Sequence, residues 1–469
     1  MCSDLLHIIL ICAEKSCTKY IYVQQQWTYM DDRVKSLLLR YNPWWRENGQ
    51  PPVLPTFERD LLNEVMKDMG RRQVISITGL RRVGKTILLK QMMRKLKTQG
   101  HNICYISFDD LGFQKYETAY ELVNFFLDLS DKKGKRYLFL DEIQKLPNWA
   151  DLVKVLYDME QRLKIVISGS ASLHIRAQKE TLAGRMLTFN LPLVTFGEYV
   201  RYHGLDPGVP NVLFPRWYEL KFAENGGRYQ TLFRKWLTGG AFPELLDNDD
   251  PMFARRYIME SVIEKAILDT AVLSREDPVI INELLRLIAG SNAQVFEISN
   301  LASILRVDRN RVSGYMDLLE KSFLVRTARN HTASIAKQAR TSKKGYVVHS
   351  SIVMALLDWE PGVLDTEVAG HLIEAAVANH LDARRFWRSP QRHEVDIVVE
   401  GKPPMPIEVK YKSHIQADDL RTLLQFCERF KARKAVLITK DQLHKKSIKD
   451  IEVRYIPAWM FLLYGRAML

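Results

Sequence analysis

The run Gly79-Leu80-Arg81-Arg82-Val83-Gly84-Lys85-Thr86 fits the phosphate-binding pattern G-x-x-x-x-G-K-[ST] at every fixed position. Each fixed residue type has a task in that chemistry. Gly79 and Gly84 can take backbone angles that turn a row of N–H groups inward around phosphate oxygens. Lys85 can reach the β- and γ-phosphates, and the Thr86 hydroxyl can ligate magnesium. The expected nucleotide cradle therefore comprises Gly79, Leu80, Arg81, Arg82, Val83, Gly84, Lys85, Thr86 and Ile87, with ATP and Mg2+ as its cofactors. Further on, Asp141-Glu142 closes the apolar run Tyr137-Leu138-Phe139-Leu140. A carboxylate there can hold the magnesium shell while its neighbour orients and polarises the attacking water. Asp141 is assigned the first task and Glu142 the second.

Such residues need a strand that ends at the loop and a helix that starts from it. Val74-Ile75-Ser76-Ile77-Thr78 reads as a buried strand. Thr86 to Leu96 reads as a helix with Ile87, Leu88, Met92, Met93 and Leu96 on its apolar side, its N-terminal dipole aimed at the phosphates. Alternating elements follow: a strand Ile103 to Phe108, a helix Ala119 to Leu129, the acidic strand, and the strand Lys164 to Ser168. The last runs into Gly169-Ser170-Ala171-Ser172, where Ser170, with Ser172 close behind, is the candidate for touching the γ-phosphate or the lytic water. A serine-rich turn equally needs no function. In Leu182-Ala183-Gly184-Arg185, before a strand Met186 to Leu191, Arg185 has two readings. It could be an arginine finger reaching a neighbouring subunit in a homo-oligomer, or a surface cation on a turn.

The chain has 469 residues, room for two to four domains. Its 68 basic and 55 acidic residues give a net charge of +13, which suits contact with nucleic acid but is common among soluble proteins. Cysteines 2, 12, 17, 104 and 427 form no CxxC pair and no zinc spacing, pointing to a reducing, cytoplasmic setting. No apolar run approaches the roughly 20 residues of a membrane span, so no membrane association is expected. Leu5 to Ala13 is apolar but carries Asp4 where a signal peptide has positive charge. It reads as a soluble extension, or as lying upstream of a true start at Met30.

With Asn42-Pro43-Trp44-Trp45, Arg81 to Thr86, Leu140-Asp141-Glu142, Ser168-Gly169-Ser170, Ala183-Gly184-Arg185 and Pro192-Leu193-Val194-Thr195-Phe196-Gly197-Glu198 in hand, the chain from about residue 40 onward resembles a known family. This comprises the archaeal and bacterial AAA-type ATPases with a C-terminal nuclease-like domain. The resemblance implies an α/β fold: a P-loop NTPase (AAA-type) parallel sheet with a helical lid, then a winged helix and a restriction-endonuclease-like α/β domain. The expected boundaries are an N-terminal extension at 1–40, the ATPase core at 41–191, the lid at 192–275, the winged helix at 276–330 and the nuclease-like domain at 331–469.

Residues outside these motifs carry their own signals. Pro51-Pro52 with Pro55 marks a linker ahead of a helix Phe57 to Met69, and Asp206 to Gly227 reads as an insertion loop. Gly239 to Glu244 is expected as a turn between helices and Phe253 to Leu273 as an amphipathic helix. Helices are expected at Ile281 to Ala289, Leu301 to Leu305 and after Asp308, an N-cap, with Val312, Tyr315, Met316 and Leu319 inward. Arg309, Asn310 and Arg311 open the outward face, where a recognition helix presents side chains to DNA; the helix could equally serve a protein contact. Lys337, Arg340, Lys343 and Lys344 read as a solvated basic loop able to order on a phosphate backbone.

Asp396 in Glu394 to Val399, followed by Glu408-Val409-Lys410, makes a PD-(D/E)xK pattern. Asp396 and Glu408 on adjacent strands can share a second divalent metal, with Lys410 on the same face steadying a hydroxide and Glu374 adding a carboxylate from the helix Gly370 to Leu381. His349 stands near where relatives of the family carry Asp, which implies either a weakened site or a different local hydrogen bond. Two functions compete. One is an ATP hydrolase that moves its C-terminal domains on DNA, with or without cleavage. The other is an ATP-controlled interaction switch whose nuclease-like domain does not cut.

Overall fold

The structure, a computed structural model, describes residues 27–28, 30–46, 53–130, 134–169, 182–208, 215–223, 225–332 and 342–469. The chain divides into two compact units, Met1–Pro192 and Leu193–Leu469.

The first unit is built on strands β1 (Val74–Thr78), β2 (Asn102–Ser107), β3 (Arg136–Asp141), β4 (Leu163–Gly169) and β5 (Met186–Asn190). They pair in the order β2-β3-β4-β1-β5, every neighbour parallel. The sequence requires this class: β1, β3 and β4 are buried along their whole length, as central strands covered on both faces must be. Helices Lys85–Lys97, Tyr116–Leu129 and Trp149–Met159 make the crossovers. The parallel arrangement brings the C-terminal ends of all the strands to one side, where a ligand of an α/β sheet sits. The helix after the expected linker starts at Asp60 rather than Phe57 and ends at Asp68; Pro51 and Pro52 lie outside the described residues.

Residues expected to form an extension without a motif are part of this unit's core. Helix Asp32–Tyr41 buries Leu38 and Leu39, which join Trp27, Trp45 and Phe126 in one apolar cluster. Asn42-Pro43-Trp44-Trp45 then covers the edge strand β2. The Asn42 amide donates to the Tyr105 carbonyl (2.9 Å) and accepts from the Tyr105 N–H (2.7 Å). Both indole N–H groups, of Trp44 (3.1 Å) and Trp45 (3.0 Å), donate to the Ile103 carbonyl. The motif thus satisfies backbone groups that an edge strand would otherwise leave open.

The second unit opens with helices. Thr195 and Glu198 form a reciprocal capping box at the start of helix Phe196–Tyr202, which explains the Thr-x-x-Glu spacing. Gly239 lies in a wide turn, Trp236–Gly240, and helical residues run from Pro251 to Ser274 through another wide turn at Ile258–Ile263. Three helices follow, Pro278–Gly290, Ile298–Leu305 and Arg309–Lys321. Asp308 caps the last, accepting from Asn310 and Arg311 N–H at 2.9 and 3.0 Å, and Val312, Tyr315, Met316 and Leu319 are buried.

Strands β6 (Val295–Phe296), β7 (Val325–Asn330), β8 (Lys343–Val347), β9 (Arg385–Arg388) and β10 (Glu394–Val395) form a mixed sheet in the order β10-β9-β7-β8-β6. A second mixed sheet, β11-β12-β13-β15-β14, joins β11 (Ile397–Val399), β12 (Met405–Val409), β13 (Lys434–Thr439), β14 (His444–Ile448) and β15 (Ile451–Pro457). The strand expected across Glu394 to Val399 is therefore two, divided at Asp396.

The basic-loop reading needs correction at its end. Lys343 and Lys344 belong to β8, which pairs with β7 and β6, and the Lys344 side chain is only 1% exposed. The buried carboxylate of Glu374 and the partly exposed ones of Glu394 and Asp396, not solvent, satisfy its charge. Lys337 and Arg340 lie outside the described residues. Among the described residues, no helix is long and apolar enough to cross a membrane.

Candidate functional site

At the C-terminal end of β1 the chain turns through Gly79 (φ +155°) and Gly84 (φ +94°) into helix Lys85–Lys97. Gly79 cannot carry a side chain: a Cβ there would stand 2.4 Å from the Leu191 carbonyl oxygen. Lys85 is buried, its ammonium donating to the carbonyls of Gly79 (3.2 Å) and Leu80 (3.0 Å), so it lies along the inside of its own loop. Arg59, not singled out in the sequence, braces the loop from outside. Its guanidinium donates to the Val83 carbonyl at 2.9 Å and the Pro192 carbonyl at 2.8 Å.

The two nucleotide motifs meet at one carboxylate. The Thr86 hydroxyl donates to Asp141 Oδ2 at 2.7 Å, joining residues 55 apart in sequence. The Tyr105 hydroxyl donates to the same oxygen at 2.8 Å. Burial, then the neighbouring Asp141 charge, pushes the Tyr105 phenol well above its usual range, so it stays a donor. The Ser168 hydroxyl, at the end of β4, contacts Asp141 Oδ1 and accepts from the Glu142 N–H at 3.3 Å. Glu142 itself has φ 51° and ψ 43°, a left-handed turn that redirects its side chain from the strand line, and Gln144 donates to its carboxylate. A hydroxyl and a carboxylate converging at a helix N-terminus form a donor set that fits a hydrated Mg2+ beside phosphate. Bound there, Mg2+ would neutralise charge developing on the phosphoryl oxygens.

Ser170 and Ser172, the serines expected near the γ-phosphate, lie outside the described residues. Ser168 reads in the sequence only as the end of a strand, with no chemical role; the register of β4 against β3 is what aims it at Asp141. Arg185 is not near the loop of its own chain. It immediately precedes β5, and its carbonyl accepts from Val74 N–H at the opposite end of β1 from Gly79. Its guanidinium pairs with Asp158 (3.1 and 3.3 Å) and lies 5.9 Å from the Tyr157 ring.

The second unit brings Glu374, Asp396, Glu408 and Lys410 together. Asp396 accepts from Val409 N–H at 2.9 Å, and the Ile397–Ile407 pairing sets it across from Glu408. Lys410 donates to Glu408 at 2.5 Å. At the centre stands the Lys344 ammonium, 2.6 Å from Glu374, 2.7 Å from Glu394 and 3.4 Å from Asp396. Burial and the Asp396 charge, partly offset by Lys410, raise the Glu408 carboxyl to about 8. Among the described residues no cluster of three or more His, Cys, Asp or Glu is placed to hold a metal ion. His349 is not in this cluster's hydrogen bonds. It is the buried N-cap of helix Ser350–Leu357, accepting from Ser351 N–H at 3.2 Å, so the different-local-hydrogen-bond alternative describes it.

Compared with known proteins, residues 71–200 match a family described as an AAA domain. Residues 230–362 and 362–460 match two families described as domains of unknown function, DUF8612 and DUF4143. An uncharacterized protein of Methanocaldococcus jannaschii is 25% identical over 87% of this chain and 89% of its own length. One of Haemophilus influenzae is 22% identical over 82% and 93%, and one of Mycobacterium tuberculosis 25% over 74% and 72%. Among solved structures, AMPPCP-bound DnaA from Aquifex aeolicus aligns with 58% of this chain and 90% of its own at 17% identity. Its TM-score of 0.26 is too low to inform the fold. The AAA match implies ATP binding, with Mg2+ as its usual companion.

Proposed function

We propose that the protein is a Mg2+-dependent ATP hydrolase whose second unit is a non-cleaving, nuclease-like module attached to a winged helix. The observation that carries the ATPase half is the Thr86–Asp141 hydrogen bond at 2.7 Å, which joins the two motifs at the C-terminal edge of a parallel sheet. In this reading, backbone N–H groups from Gly79 to Ile87 and the Lys85 ammonium hold the phosphates. Thr86 and Asp141 hold Mg2+, and Glu142 orients the attacking water. Ser168 fixes Asp141 and the Glu142 backbone relative to each other; Ser170 is retained as a γ-phosphate contact, and Arg185 as a finger acting on a neighbouring copy. The reading is tested by measuring ATP hydrolysis by purified protein with Mg2+, with and without DNA. No turnover under either condition would remove it.

The domain assignments follow the same reading. The winged-helix reading is supported by helix Pro278–Gly290, β6, helices Ile298–Leu305 and Arg309–Lys321, then β7 and β8, with β8 between β7 and β6. The nuclease-like reading is supported by helix Ala369–His380, strands β9 to β12, helix Arg421–Phe430 and β13. Exposed Arg309 and Asn310 support DNA contact. The Lys344 ammonium among the carboxylates favours the non-cleaving form over one that carries a second divalent metal.

A further inference from the structure

Lys344 meets carboxylates from three separate elements. It rides on β8, while Glu394 comes from β10 at the edge of the same sheet, Glu374 from helix Ala369–His380 and Asp396 from the β10–β11 junction. The ammonium has three N–H groups, and three carboxylates stand 2.6, 2.7 and 3.4 Å away. All three are ion pairs, the Asp396 contact also a hydrogen bond, and Asp396 turns its other oxygen to the Val409 N–H. Tyr346, two residues along β8, donates to Glu374 at 3.2 Å and to the Asp396 carbonyl at 3.3 Å. An isolated buried ammonium is strongly unfavourable, and so is a buried group of carboxylates without a cation. Each here supplies what the other lacks.

A second, independent observation points to a cation-binding design. Glu408, opposite Asp396 and only 4% exposed, has one buried carboxylate oxygen, Oε2, with no hydrogen-bond partner. Its other oxygen takes Lys410. An unpartnered carboxylate oxygen at full burial is a costly residue to keep in a purely structural ion pair. It is a natural ligand for an oxygen-seeking divalent ion.

We propose that the Lys344 ammonium is the cation that Glu374, Glu394 and Asp396 hold in place of a divalent metal, and that these carboxylates with Glu408, not placed to hold a metal while Lys344 stands among them, close on one Mg2+ or Mn2+ once Lys344 is shortened. The inference rests on the nuclease-like, non-cleaving reading and gives it a physical cause. The native second unit takes no metal because a covalently attached charge already fills the position. It follows that chelators leave its stability unchanged, unlike that of a true metal site.

The test uses full-length, nucleotide-free protein and Mn2+ as the probe, read by electron paramagnetic resonance and thermal unfolding. Lys344→Ala is expected to bind about one Mn2+ per chain beyond the wild type, and this site is expected to vanish in Lys344→Ala with Asp396→Asn. At Mn2+ near 100 times the dissociation constant, the midpoint of Lys344→Ala should rise by roughly 5–10 °C, and that of the wild type should not move. Lys344→Gln, whose amide keeps donors for the carboxylates, is the second variant. Folded Lys344→Ala and Lys344→Gln that both bind no additional Mn2+ would overturn the proposal. So would failure of Lys344→Ala to fold with Mn2+ failing to rescue it, or a wild-type Mn2+ site that Asp396→Asn abolishes. Cleavage of DNA by the wild type with Mg2+ is a separate result, and it would overturn the non-cleaving reading instead.

Discussion

Asp141 is surrounded by donors from two strands and a helix: Thr86 in the helix after β1, Tyr105 on β2 and Ser168 on β4. Removing any one leaves a buried carboxylate oxygen short of a partner, so the consequences at this scale are specific. Lys85→Ala is expected to lower ATP turnover by about 100-fold or more, through loss of the ammonium that binds the β- and γ-phosphates. Glu142→Gln should keep ATP binding within a few-fold while hydrolysis falls by about 100- to 10,000-fold. Filter binding beside a phosphate-release assay separates the two; a Glu142→Gln variant with the parent rate would take the water-orienting role from Glu142. Ser168→Ala should cost about tenfold in turnover, near 1.4 kcal/mol, with Ser168→Thr restoring most of it. If Ser168→Thr stays as slow as Ser168→Ala, the hydroxyl is not what matters there.

The elements differ in how far the sequence discloses them. β1 is legible because Val74–Thr78 is apolar enough to be buried on both faces, and the loop because each fixed residue meets a distinct backbone or charge demand. Helix Arg309–Lys321 is legible because an N-cap and a 3.6-residue period agree. Lys344 is not: beside Lys343 and a glycine it looks solvated, and the carboxylates that change this, Glu374, Glu394 and Asp396, are 30, 50 and 52 residues away. Arg311 likewise seemed a free base-reading side chain, but it bonds Glu276 at 3.2 Å and Tyr315 at 2.8 Å. Arg309→Ala should therefore weaken DNA binding more than Arg311→Ala, lowering the salt slope by about one. Anisotropy titrations over a salt series check this, and equal effects would mean that Arg311 leaves Glu276 on binding. The helix cap at His349 makes a different prediction. Burial lowers its imidazole to about 3 and that of His380 to about 4, against about 6.5 when unfolded. Below pH 6.5 the unfolded chain binds protons that the folded one refuses, so stability falls as pH drops toward 4, by up to about 1.4 kcal/mol per unit per group. His349→Asn keeps a capping side chain and should flatten that slope in urea unfolding at pH 7, 5.5 and 4.5. An unchanged slope would clear His349 of the effect.

On the scale of the whole molecule, Arg185 decides whether one chain suffices. It lies at the far end of β5 from its own phosphate loop and is held by Asp158, so a role in hydrolysis needs a second copy. Specific ATPase activity should then rise with protein concentration, and mixing Arg185→Ala with Lys85→Ala chains should recover part of it. Asp158→Ala distinguishes the two readings: it should mimic Arg185→Ala if the pair is only structural, and leave activity near the parent value if Arg185 acts across an interface. A strict monomer with a concentration-independent rate would end the trans role.

The sheet of the first unit has β2 at one edge, and among the described residues the Asn42 side chain copies the pairing of a further strand at Tyr105, beside the indoles that close Ile103. An edge closed at Tyr105 by one amide is a template waiting for a substitute. With Asn42→Ala, the open N–H and C=O of Tyr105 would be available to an extended segment of another molecule. The expected phenotype is slow, concentration-dependent aggregation with rising β-sheet signal, appearing before any loss of ATP binding.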